Sequence, residues 1–295
     1  MSEIKDLNNG AHGHHGHALR IALAGNPNCG KTTVFNGYTG ARQHVGNYPG
    51  VTVDKKEGHI TVNGTRVTVV DLPGTYSLTA YSQEELVARQ ELAGDNVQAV
   101  INVVDASALE RNLLLTVQML EMGTPVVLSC NMMDEARSSG VHIDMERLST
   151  LLGIPVLPMV ARSGEGLKEA MEAAVDLSKK GKREPMRISY GIELDEALLE
   201  LEKRIVAANL LTDRYLPSWV ALKLLEGDDV VLGEAHKADP KTTAELEALR
   251  KKTADHVRTT LNANLESLIT DHRYGYIRSI LRDGIFKQDP GKDRL

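Results

Sequence analysis

Cysteine is scarce in this 295-residue chain: there are two, Cys29 and Cys130, and no C-x-x-C pair. That excludes a disulfide-stapled fold and points to a reducing cytosol. No run of about 18 apolar residues occurs, so the sequence as given is not expected to span a membrane. The polar N-terminus lacks the apolar core of a secretion signal. A cationic excess is missing too. The net charge is −6 and the pI about 5.9, which disfavours a protein devoted to gripping nucleic-acid phosphates. No internal repeat is present. What remains is an ordinary globular balance, 42% apolar and 25% charged, enough for a sizeable core. The length suits two domains, or one large domain with an appendage.

Residues 1–17 are polar and rich in glycine and histidine, and read as a flexible tail. From Ala18 the pattern changes. "ALRIALAG" reads as a buried strand, followed by a loop and a helix over Lys31–Tyr38. "GHITVNGTRVTVVDLPG" holds two alternating β-branched runs around Asn63-Gly64, a dipeptide suited to the positive φ angles of a tight hairpin. "VQAVINVVDAS", "TPVVLSCNMMD" and "IPVLPMVARSGEG" read as further strands, with helices at about 82–93, 107–122, 144–152 and 165–180. Such alternation implies a mostly parallel sheet covered on both faces, made mixed by the hairpin, with ligands at the carboxyl ends of the strands. Beyond Lys179 the strand signal ends. "KKGKREP" is linker chemistry, and 192–210, 217–226, 241–270 and 271–286 read as helices. Residues 183–295 carry 18 Lys and Arg against 20 Asp and Glu, net −2, so a basic RNA-binding appendage is not expected.

The stretch "LAGNPNCGKTTVFNG" contains G-x-x-x-x-G-K-[ST] at Gly25, Gly30, Lys31 and Thr32, between an expected strand and an expected helix. Glycines let backbone N–H groups turn inward around an anion, and a helix N-terminus adds partial positive charge. Lys31 is expected to reach the β- and γ-phosphates and Thr32 to meet Mg²⁺. The phosphate cradle thus runs over Gly25, Asn26, Pro27, Asn28, Cys29, Gly30, Lys31, Thr32 and Thr33. "DLPG" offers Asp71 for the magnesium shell and the Gly74 N–H for the γ-phosphate, although Asp, Pro and Gly also simply make turns. In "NMMD", Asp134 can accept two N–H bonds from a guanine edge, selecting GTP over ATP, while Asn131 braces the loop and the base and Met132 lies between them. A helix N-cap is the plainer role for Asp134. In "VARSGEG", Ala161 is placed to offer its N–H to the guanine oxygen, with Arg162 beside it. Between the first two motifs, "ARQHVGNYPGVTVD" reads as a mobile switch with Thr52 as a magnesium and γ-phosphate ligand, or as an ordinary strand threonine. Phosphate loop, DxxG, NxxD and a small loop, in that order, is the arrangement of GTPases.

"GNPNCGKTTVFN", "VGNYPGVTV", "DLPGTYSL" and "NMMD" together resemble the cytosolic GTPase domain of the bacterial ferrous iron transporter B family, FeoB, over about residues 19–180. The resemblance implies a P-loop GTPase with a mixed α/β sheet and helices on both faces, over 18–180. A small helical domain resembling a guanine-nucleotide-dissociation inhibitor follows over 181–270, and a helical extension over 271–295 leads towards a missing membrane region. GTP or GDP, Mg²⁺ and K⁺ are the implied cofactors, with Thr32, Thr52 and Asp71 for magnesium. Thr75 stands where many small GTPases place a water-orienting glutamine. The family resembles GTPases that use potassium instead; Asn28 matches its potassium asparagine, and Gly46 and Tyr48 match the switch carbonyls that complete the site. Lys31, Thr52 and Gly74 join Asn28 as the residues carrying hydrolysis. Asn28 has a plainer role as a turn former. The implied place is the cytoplasmic face of the bacterial inner membrane. The implied partners are the membrane permease portion of the same protein and small accessory iron-transport proteins, and no nucleic acid.

This sequence departs from the family at Cys29 (usually serine), Tyr48 (frequently tryptophan) and Val160 (often serine), the last bearing on guanine-loop contacts and nucleotide exchange. The first hypothesis is a slow, potassium-assisted GTPase signalling to a membrane iron pathway. The second is a nucleotide-gated binding module whose turnover is incidental. "HGHHGH" at His12–His17 can bind metal ions adventitiously. Cys29, beside a helix N-terminus, can have a lowered pKa, though a quiet loop residue is the simpler reading.

Overall fold

The computed structural model describes residues 19–40, 43–93, 97–181 and 184–288. The histidine tail and residues 289–295 lie outside them.

The chain divides into two compact units, one holding residues to Leu120, Thr124–Arg183 and Ile277 onward, the other Glu121–Gly123 and Glu184–Tyr276. The first is built on a seven-stranded sheet ordered β2-β3-β4-β1-β5-β6-β8. Its centre is β1 (Leu19–Gly25), β5 (Ala99–Asp105) and β6 (Val126–Asn131), each a near-continuous apolar run, the pattern of strands buried on both faces. β1 pairs in parallel with β4 (Thr65–Asp71) and β5, and β6 with β8 (Val156–Pro158). β3 (Asp54–Val62) runs antiparallel to β4 through a two-residue turn in which Asn63 and Gly64 have φ of 48° and 79°, the twist-matched hairpin geometry. Alternation along β5 sorts the two faces. Ala99, Ile101 and Val103 join a core with Phe35 and Tyr38 of α1 (Lys31–Thr39) and Met171 and Val175 of α6 (Leu167–Ser178). Asn102 points the other way and donates to Thr116 Oγ1 of α3 (Leu109–Glu121) at 2.7 Å.

Some elements differ from the sequence expectation. The switch segment holds a strand, β2 (Gln43–Asn47), paired with β3 and exposed along its whole length. It has no apolar face to announce it. Two further short elements are present, α4 (Met133–Ser138), which begins inside the NxxD stretch, and β7 (Val141–Ile143). The helices expected at 82–93 and 144–152 are α2 (Gln83–Ala93) and α5 (Met145–Leu152).

The second unit is helical: α7 (Ile192–Ala208), α8 (Pro217–Glu226), α9 (Asp229–Ala238), α10 (Pro240–Leu261) and most of α11 (Leu265–Ile280). A single helix over 241–270 is corrected. Asn262 takes a left-handed φ of 52° and ends α10, and Asn264 Oδ1 accepts from Ser267 N at 2.8 Å to start α11. α9 was not expected. Asp228 caps it by accepting from Val231 N at 3.1 Å, and Asp239 ends it while capping α10. A helix to 286 is corrected as well. After Ile280 a π-turn covers Leu281–Ile285, and β9 (Phe286–Gln288) pairs antiparallel with β7.

A charged cluster is buried in the second unit. The Arg273 guanidinium is forked onto Glu121 (3.1 and 2.8 Å) and also meets Glu226, which accepts from Lys223 at 2.8 Å. The Tyr190 hydroxyl donates to Glu121. Arg273, Glu121, Glu226 and Lys223 are all buried. Burial alone would raise the Glu226 carboxyl, but Arg273 and Lys223 outweigh it and hold it down at about 2.

Candidate nucleotide site

β1 ends at Gly25, and the chain turns through Asn26–Gly30 into α1. Two glycines make this turn possible. A Cβ on Gly25 would lie 2.4 Å from the Val103 carbonyl oxygen, and one on Gly30 (φ 87°) would lie 2.3 Å from Asn131 Nδ2. Neither space admits a side chain. Asn28 adopts φ 67° at the apex, and Cys29 N closes the turn onto Asn26 O at 3.3 Å. Asn26 is buried, and neither of its side-chain polar atoms has a partner.

Lys31 begins α1, and its ammonium pairs with the buried Asp71 carboxylate at the end of β4. The phosphate-loop lysine and the DxxG aspartate are therefore in contact. Thr32 and Thr33 are exposed on the first turn of α1. Thr75 N donates to Gly25 O at 3.3 Å, and a Cβ on Gly74 would lie 3.5 Å from Pro27. The DxxG turn thus lies directly against the phosphate loop.

Asn131 ties the remaining pieces together. Its Nδ2 donates to Cys29 O at 2.9 Å, and its Oδ1 accepts from Ala161 N at 2.9 Å. One buried carboxamide bridges loops 102 and 30 residues away. The Ala161 N–H, expected to face a guanine oxygen, is given to Asn131 here. Val160 is buried, and its N–H donates to Glu165 O at 3.0 Å, closing a tight turn. Met132, at φ 61°, is the residue that precedes α4, so Asp134 sits inside the helix and is not its N-cap. The Asp134 carboxylate stays exposed, 4.0 Å from Arg162, whose guanidinium also meets Glu135.

The switch residues lie apart from this frame. Gly46 is in β2, paired with Lys55. Tyr48 is buried against Val53 and Val87, and its carbonyl accepts from Val51 N at 3.3 Å. Thr52 is exposed in the following bend. Among the described residues no hydrogen bond joins Gly46, Tyr48 or Thr52 to residues 25–33.

The reactive reading of Cys29 is overturned. The thiol is buried, and burial pushes its pKa up to about 11, outweighing the backbone N–H and ammonium of Lys31. Cys130 is pushed up to about 12 by burial. Sequence reasoning did not find the Lys31–Asp71 pair, the Cys29 carbonyl as a partner of Asn131, or the Arg162–Glu135 contact. Nothing in a linear pattern marks them.

Among the described residues no helix is long and apolar enough to cross a membrane, and no group of three or more His, Cys, Asp or Glu side chains is placed to hold a metal ion.

Known proteins match this chain along most of its length. Residues 19–174 match the model of the family "Ferrous iron transport protein B", and residues 190–285 that of the "FeoB cytosolic helical domain". A Porphyromonas gingivalis Fe(2+) transport protein A/Fe(2+) transporter FeoB fusion protein is 44% identical over 276 residues, 91% of this chain and 32% of the relative. The Fe(2+) transporter FeoB of Shigella flexneri is 43% identical over 242 residues, 80% of this chain and 30% of the relative. The chain therefore spans about a third of the length of these curated relatives. Among solved structures, an S. thermophilus NFeoB mutant bound to GDP superposes with a TM-score of 0.80 at 34% identity, over 90% of this chain and 98% of its own. The cytosolic domain of the T. maritima FeoB iron transporter in its GMPPNP form gives 0.78 at 34%, over 92% and 100%. With a mixed α/β sheet of P-loop GTPase type, a following helical domain and both family models matched, the chain belongs to the ferrous iron transport protein B family.

Proposed function

We propose that this chain is the guanine-nucleotide-operated cytosolic portion of a ferrous iron transporter, lying on the cytoplasmic face of a bacterial inner membrane. It binds GTP with magnesium and hydrolyses it slowly. The Asn131 brace carries the reading, because it joins the phosphate loop and the base loop into one frame. Inward-turned amides of Gly25–Thr33 surround the phosphates. The anion draws the Lys31 ammonium from Asp71, freeing that carboxylate. Thr32, Asp71 and, after switch movement, Thr52 form a hard-oxygen donor set that suits Mg²⁺. Bound magnesium supplies charge neutralisation at the β- and γ-oxygens. Asp134 reads the guanine edge, with Met132, Ala161 and Arg162 around the base.

Slowness follows from Thr75. It is buried, its N–H is committed to Gly25, and it has no carboxamide to orient water. Asn28, exposed in the phosphate loop with a φ of 67°, would offer its carboxamide oxygen to K⁺. The Gly46 and Tyr48 carbonyls would complete such a site only if the end of β2 rearranged, since Tyr48 O accepts from Val51 N. That rearrangement is the nucleotide-dependent switch. The helical unit, the permease portion of the full protein and accessory iron-transport proteins receive the signal, and iron is the cargo.

GTP turnover measured in K⁺ and in Na⁺ tests the catalytic half of this reading. Turnover at least about tenfold faster in K⁺ is expected, a small part of the ~10³–10⁵ an arginine finger supplies. Asn28→Ala should abolish the difference while leaving GDP affinity within a few-fold. Equal rates in the two salts would remove the potassium assignment and leave the alternative, a module regulated by nucleotide occupancy with incidental hydrolysis.

A further inference from the structure

α7 carries apolar side chains on two faces. Leu194, Ala197, Leu201 and Ile205 are buried at helical spacing and face the core of their own unit. Across the helix, Ile192, Leu199 and Val206 are 76%, 62% and 53% exposed. Seven residues separate each from the next. At 3.6 residues per turn the three fall within about 40° of arc, a narrow ridge opposite the buried stripe. Beside Leu199 opens a cavity of about 320 Å³, walled in part by Met186, Ile188, Leu198, Trp219 and Leu222. A ridge of heptad spacing next to an apolar hole is the pattern by which helices interlock.

We propose that this ridge pairs two copies of the chain, α7 lying antiparallel to α7 about a twofold axis at Leu199. The ridge is symmetric about that residue, so Leu199 meets its own copy and Ile192 meets Val206 of the second copy, a self-complementary patch. Charge selects the occupant and the direction. Glu196 and Lys203 each lie four residues after a ridge position and flank the same side. Antiparallel pairing sets each Glu196 against Lys203 of the other copy, twice per dimer. On the opposite flank lie Asp195 and Glu202. Glu202 is already neutralised by a two-pronged contact from Arg187 at 2.9 and 2.8 Å, which leaves a guanidinium near Asp195 of the other copy. Parallel pairing would instead set each Glu196 beside Asp195 of the other copy, like on like, and Lys203 beside the already neutralised Glu202. One helix pair is at the low end of interface sizes, so the association is weak, with a dissociation constant on the order of 100 μM. The proposal does not rest on the nucleotide chemistry.

Cysteine cross-linking of the intact chain tests it. Cys29 and Cys130 are buried and do not compete. Leu199→Cys sits on the axis and should form a disulfide with its own copy under mild oxidation. Ile192→Cys and Val206→Cys each lie ~21 Å from their own symmetry mates, beyond the ~7 Å a disulfide spans, so neither should cross-link alone. Mixed together, those two variants should cross-link to each other. Sedimentation of the unaltered chain between ~10 μM and ~1 mM should show a reversible dimer, which Leu199→Glu abolishes at an unchanged melting temperature. Self-cross-linking of Ile192→Cys, equal cross-linking at all three positions, no cross-linking at Leu199→Cys, or a monomer across the whole range would each overturn the proposal.

Discussion

Replacing Arg273 with methionine is expected to destabilise the helical unit by about 3–5 kcal/mol, the cost of removing one partner from a buried ionic cluster. Arg273 is the only described cation that touches both Glu121 and Glu226. Its loss leaves Glu121 with the Tyr190 hydroxyl and Glu226 with Lys223. Arg273→Lys should fall between the two, because an ammonium keeps the charge but loses the fork that spans both carboxylates. The cluster also sets a pH dependence. Glu226 titrates at about 2 in the folded chain against 4.5 unfolded. A depressed carboxylate stabilises above its unfolded pKa, and that stability is lost as pH falls from there through about 2. Urea unfolding followed by circular dichroism between pH 5 and 2 should show this decline in the native chain. In Arg273→Met the decline should be shallower, since the largest favourable charge on Glu226 is gone. Unfolding within about 1 kcal/mol of the native chain at pH 7 would show that the cluster has no net role in stability.

Asn131→Ala is expected to weaken GDP binding by roughly 30- to 100-fold while the chain stays folded. Two hydrogen bonds of 2.9 Å disappear together, and the Cys29 carbonyl and Ala161 amide lose their partner. Each bond contributes about 0.5–1.5 kcal/mol, and a buried group left unpaired costs about 1–3 kcal/mol. About 2–3 kcal/mol in total converts to the stated range at ~1.4 kcal/mol per decade. The loss is expected mainly in binding, because the brace aligns two loops that a ligand must span. Calorimetric titration with GDP and a thermal melt of the same sample separate the two effects. Unchanged affinity would mean that the two loops hold their places without Asn131.

Much of the first unit is legible in the residues because each strand advertises its burial. "LRIALAG" and "VVLSCN" are mostly apolar on both faces, and all but Leu19 and Arg20 are buried, so their place at the sheet centre follows largely from composition. The Asn63-Gly64 turn is likewise written in the two residues that tolerate its φ angles. Elements that bury little are silent. β2 is exposed along its whole length, and β7 and β9 are three residues each. The helical unit is read as helix but not divided correctly. Its divisions are made by single side chains, Asp228, Asp239, Asn262 and Asn264, whose capping roles compete with ordinary helical placement. In the candidate site, residue types and order are visible in sequence, but pairings are not. Lys31 finds Asp71 forty residues on, and Glu121 finds Arg273 across 152. Cys29 shows a conflict between two effects. A helix N-terminus would lower its thiol, but enclosure by Gly25 and the loop raises it more.

Titration of the purified chain with GTP, GDP and ATP in the presence of magnesium tests the central claim most directly. GTP and GDP should bind at one site with micromolar dissociation constants, and ATP at least about 100-fold more weakly, because adenine leaves the Asp134 carboxylate without its paired donors. Equal affinity for ATP, or no retention of guanine nucleotide at millimolar concentration, would contradict the reading of loop, brace and acid as one nucleotide site.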